Sequence, residues 1–73
     1  MNTREQDLEK VRALKHNDSC YIAWCDGGGG EVHRVWDMLF LFEIPQYGGE
    51  GLYEKAFHIT WAEQLVDLAH TWA

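Results

Sequence analysis

The chain has 73 residues, 47% hydrophobic and 25% charged, with twelve acidic residues against six basic for a formal net charge of -6. That length holds one domain, that apolar fraction excludes an intrinsically disordered chain, and that charge argues against a phosphate-gripping protein. Its apolar runs, Met38 to Phe42 among them, fall far short of the ~20 residues that span a bilayer, and Met1 to Glu5 lacks the apolar stretch of a signal peptide, so a cytoplasmic chain is expected.

The first predicted element is an amphipathic helix. Thr3 and Gln6 stand at capping-box spacing, and Leu8, Val11 and Leu14 share one stripe. Glu5, Asp7 and Glu9 lie toward its start and Lys10, Arg12 and Lys15 toward its end, the order the helix dipole favours. His16-Asn17-Asp18 ends it, with Asn17 suited to a left-handed cap.

Ser19 to Cys25 is rich in residues that suit a pleated surface, and Glu31 to Trp36 forms a second such run. Asp26 and Gly27 to Gly30 between them read as a flexible hairpin tip. A simple register then pairs Trp24 with Val32 and Ile22 with Arg34. A phosphate-loop reading of the glycines fails, because no Lys-Ser/Thr follows and Asp26 and Glu31 repel phosphate.

Asp37 to Ile44 continues the second run and Pro45 stops it. Alternation puts Trp36, Met38, Phe40, Phe42 and Ile44 on one side and Val35, Leu39 and Leu41 on the other, beside Asp37 and Glu43. A short helix over Trp36 to Phe42 is the rival reading, with a strand preferred. Tyr47 to Gly51 makes another turn, and Leu52 to Ile59 is the third strand candidate. Thr60 and Glu63 suggest a second capping box, opening a helix along Trp61, Leu65, Leu68 and Trp72.

The expected fold is a single α+β domain over residues 1–73. It is a two-layer sandwich of a three-stranded antiparallel meander covered on one face by two helices, in the order α-β-β-β-α. The other face of the sheet then meets water or a partner.

Metal and nucleophile chemistry finds little support. Cys20 and Cys25, five positions apart on a strand, lie too far apart for a disulfide and miss the usual zinc spacing, so buried, inert thiols are expected. His16, His33, His58 and His70 are scattered, and the first and last suit helix C-termini. A small enzyme or metal protein would have to use His33, His58, Asp37 or Cys25. No cofactor or metal is expected.

Charge distribution is more informative. Residues 1–17 carry a net of +1 and residues 18–73 a net of -7, an acidic body that serves solubility or steers the chain toward a basic partner. Four Trp, three Tyr and three Phe also exceed what so small a core encloses. They pack as partly wet lids or meet a partner. The candidate partner-binding acids are Asp26, Glu31, Asp37, Glu43, Glu50 and Glu54, with Trp24, Tyr47 and Tyr53 as aromatic anchors.

The stretch Val35-Trp36-Asp37, followed by Phe40-Leu41-Phe42-Glu43-Ile44-Pro45-Gln46-Tyr47-Gly48-Gly49-Glu50, resembles short uncharacterised proteins of bacterial plasmids and phages. In size and acidity alone, the chain is also similar to anti-CRISPR proteins. That likeness implies a non-enzymatic inhibitor docking an acidic face on the nucleic-acid groove of an effector, without binding nucleic acid itself. The other expectation is a homodimer closed through the open sheet face or a free strand edge.

Overall fold

The structure is a computed structural model and describes residues 3–25, 28–44 and 54–72, with the backbone alone for Trp24 and Cys25. In chain order these form α1 (Arg4–Arg12), β1 (Ser19–Cys25), β2 (Gly28–Val35), β3 (Met38–Ile44), β4 (Glu54–His58), a 3-10 turn (Ile59–Trp61) and α2 (Ala62–His70). The expected α+β class with an antiparallel sheet and two helices is present. The sheet has four strands in the order β1-β2-β3-β4, where three were expected.

The extra strand arises because the long run from Glu31 to Ile44 is folded in two. Val35 pairs with Met38, and Trp36-Asp37 make the turn between them. Trp36 sits at φ 52, a left-handed conformation that turns normally give to Gly, Asn or Asp, so no local signal marks the reversal. His16 compensates for the unusual residue. Its ring stacks on Trp36 at 4.0 Å between centroids, and its Nδ1 accepts the Trp36 backbone N–H at 3.0 Å. His16 thus braces a turn, in place of the helix-terminal role expected for it.

The glycine run is also corrected. Gly28 to Gly30 belong to β2 and are buried, so the register becomes Cys20 with Val32 and Ile22 with Gly30. A bulge between Ile22 and Cys25 accompanies Ala23 at φ 52. Gly30 is required by close approach, since a β-carbon there would lie 3.0 Å from Leu41 Cδ1 and 3.5 Å from Ala69 Cβ of α2.

The Thr3–Gln6 capping box forms as expected. The one expected at Thr60 and Glu63 does not. His58 Nδ1 accepts the Thr60 N–H at 3.3 Å instead, capping the 3-10 turn, and α2 starts without a side-chain cap. The face that α2 buries is Ala62, Leu65, Val66 and Ala69, and Trp61 stays 54% exposed. These side chains, with Leu8, Val11 and Leu14 from the α1 segment, pack on Ile22, Val32, Leu39 and Leu41 of the sheet. No helix among the described residues is long and apolar enough to cross a membrane.

Candidate functional site

Because side chains alternate along a strand, the buried residues Ile22, Val32, Leu39 and Leu41 define which face the helices cover. Register then places the remaining side chains in cross-strand rows on the opposite, helix-free face. One row runs Tyr21, Glu31, Phe42, Glu54 from β1 to β4. The next runs Ser19, His33, Phe40, Ala56, and the third Val35, Met38, His58. The centre of this face is therefore the apolar stripe of β3, and its flanks mix polar side chains, Glu31 and His33 on β2 and Glu54 and His58 on β4, with Val35 and Ala56. Val35 joins Met38 on this face, which corrects its expected grouping with Leu39 and Leu41.

A hydrogen-bonded chain crosses one flank. The Tyr21 hydroxyl donates to Glu31, and His33 Nε2 lies 2.9 Å from Glu31 Oε1. The His33 hydrogen bond holds the Glu31 carboxyl below its usual range, and the bond to Glu31 pushes the Tyr21 phenol up. His33 also meets Phe42 edge-on at 5.4 Å, so the carboxylate is tied to the apolar stripe. Phe40, Phe42 and Met38 are half-buried, whereas Glu54, Ala56, His58 and Tyr21 are exposed.

No Lys or Arg side chain belongs to these three rows. Lys55 alternates to the other face, where its Nζ lies 5.3 Å from the Phe57 ring, and Arg34 donates to the carbonyls of Leu14 and Trp36. Such a face presents apolar area inside an acidic, hydrogen-bonding rim, the arrangement of a protein–protein contact.

Of the acids singled out in the sequence, Glu31 and Glu54 come together, one on each side of Phe42. Asp37 lies exposed in the β2–β3 turn, and Glu43 pairs opposite Gly30 with its side chain alternating to the helix side. Asp26, Glu50, Tyr47 and Tyr53 lie outside the described residues, as does the side chain of Trp24. Sequence reasoning missed Tyr21, His33 and the apolar stripe as parts of one surface. The strand alternation held the signal, hidden by the unmarked turn at Trp36.

His33 and His58, two of the residues that a small enzyme or metal protein would have to use, each bond a near neighbour: His33 bonds Glu31 and His58 bonds Thr60. Among the described residues no group of three His, Cys, Asp or Glu side chains is placed to hold a metal. Cys20 is a free thiol pushed up by burial. The chain matches no family model, no curated protein and no solved structure.

Proposed function

We propose that this chain is a non-enzymatic protein-binding module that docks its helix-free sheet face on a partner combining exposed apolar side chains with Lys or Arg. The observation that carries the reading is the composition of that face: an apolar stripe on β3, with Glu31 and Glu54 on either side and no cationic Lys or Arg in its rows. Buried rings supply most of the affinity in such contacts, while rim carboxylates set association rate and salt sensitivity. A nucleic-acid groove of another protein has the matching chemistry, so the finer proposal is an inhibitor of the kind encoded by plasmids and phages, occupying that groove in the cytoplasm.

The test is affinity capture from a bacterial lysate, followed by kinetics with the purified partner. Phe40→Thr is expected to weaken binding by about 1–3 kcal/mol, seen mainly as faster dissociation. Glu54→Lys is expected to slow association and flatten its salt dependence. A partner whose affinity ignores both substitutions and raised salt removes the docking proposal. A partner that binds nucleic acid and this chain simultaneously removes the groove-blocking part.

A further inference from the structure

The two edges of the sheet are built differently. On β1 the Tyr21 carbonyl accepts from Lys10 Nζ, and the Ala23 N–H is taken by Asp7 Oδ2 at 2.9 Å. The left-handed Ala23 also kinks that edge. An added strand finds those groups occupied and the line of the strand bent, which are two of the ways proteins close an edge.

On β4 the opposite holds. The Ile59 N–H donates to the Asp37 carbonyl at 2.9 Å, one step beyond the Met38–His58 pair. That bond fixes the phase of the ladder: Phe57 and Lys55 turn their backbone groups toward β3, and Glu54, Ala56 and His58 turn theirs outward. Among the described residues no partner takes those outward groups, and the three residues are exposed.

We propose that the β4 edge pairs antiparallel with β4 of a second copy of this chain, about a two-fold axis at Ala56. The sequence of β4, Glu-Lys-Ala-Phe-His, is complementary to itself in that register. Ala56 meets Ala56 of the other copy, and the outward N–H and C=O of Glu54 meet those of the other copy's His58. On the helix-free side the Glu54 carboxylate then faces an imidazole. Thr60 N–H donates to His58 Nδ1, so His58 Nε2 carries its hydrogen and is the group offered to Glu54. On the helix side Lys55 lies opposite Phe57, a cation over a ring. Centring the axis at Lys55 sets Lys55 against Lys55, and centring it at Phe57 shortens the paired stretch, so the register at Ala56 is favoured.

A groove of about 420 Å³ lines the same edge, with Phe57, Trp61 and Gln64 among its walls. It gives the other copy's Phe57 an apolar seat and accounts for the exposure of Trp61. An axis perpendicular to the sheet keeps all helices on one side, so two helix-free faces join into one surface across eight strands. The pairing stands whatever docks on that surface.

Sedimentation of the full chain across a concentration series tests the pairing, together with amide exchange at Glu54, Ala56 and His58. A concentration-dependent dimer is expected, with those three amides exchanging more slowly as it forms. Ala56→Pro removes an outward donor that the monomer does not use, and should raise the dimer Kd by roughly tenfold or more. Glu54→Lys should raise it roughly two- to fivefold. A wild-type chain that stays monomeric at about 100 μM overturns the proposal. So does a dimer whose Glu54, Ala56 and His58 amides are no better protected than in the monomer, a result that needs no variant to fold.

Discussion

Asp7 is the one charged residue among the described residues whose side chain is fully buried, and it joins three elements. From α1 its Oδ2 accepts the Ala23 N–H at the β1 bulge and lies 2.6 Å from His70 Nε2 at the end of α2. His70 is therefore a structural partner of Asp7, more than the helix-end cation expected from its position. A left-handed alanine costs roughly 1–2 kcal/mol, so Ala23 holds its conformation because the carboxylate and the bulge secure it. Removing the carboxylate strands both donors. Asp7→Ala is expected to destabilise the fold by about 2–4 kcal/mol in urea denaturation, and Asp7→Asn, which keeps an acceptor, by less.

At the scale of elements, helix packing depends on the absence of a side chain. Gly30 lets Ala69 of α2 come down onto β2, between Ile22 and Leu41. Gly30→Val forces α2 away from the sheet and should cost about 1–3 kcal/mol, read as a lowered urea midpoint with α2 amides losing protection first. The link between the helices is polar at their exposed ends, where Arg4 Nε reaches Asp67 Oδ1 at 2.5 Å and Arg4 Nη2 lies 3.6 Å from Glu63 Oε1. This pair holds the Asp67 carboxyl below its usual range, and its exposure keeps its contribution small.

The elements differ in how openly the sequence announces them. α1 is legible because its capping box and the Leu8–Val11 spacing are local and present as read, although the helix ends at Arg12, short of the expected His16–Asp18, and Leu14 packs from beyond it. The β2–β3 turn is not, because Trp36 takes a conformation that glycine usually signals, and its brace, His16, is twenty positions away. The start of α2 misleads for a similar reason. Thr60 has the right spacing to Glu63, yet His58 reaches the Thr60 N–H first.

At the scale of the molecule, the helix-free face links stability to pH. The folded Glu31 carboxyl is held down by His33, so its contribution is present above the unfolded value of ~4.3 and is lost as pH falls through the lowered folded value. Glu31→Gln should flatten the acid limb of urea stability, leaving the share that comes from Asp67 and Arg4. Tyr21 runs the other way. Its raised phenol contributes below the unfolded value of ~10, and that contribution is lost as pH rises through the folded one.

The sequence by itself determined the α+β class, the start of the first helix, the approximate strand runs and the acidic charge of the chain after residue 17, because composition and short-range periodicity carry that information. Tertiary structure decided the fourth strand, the register, and that, among the described residues, Glu31 and Glu54 of the proposed acids share the helix-free face. It also decided that Lys10 and Asp7 close the β1 edge from a helix, while among the described residues nothing takes the outward backbone groups of β4. The physical reason is common to all of these. A one-residue change of register exchanges the faces of a strand, and register here depends on contacts between residues far apart in the chain.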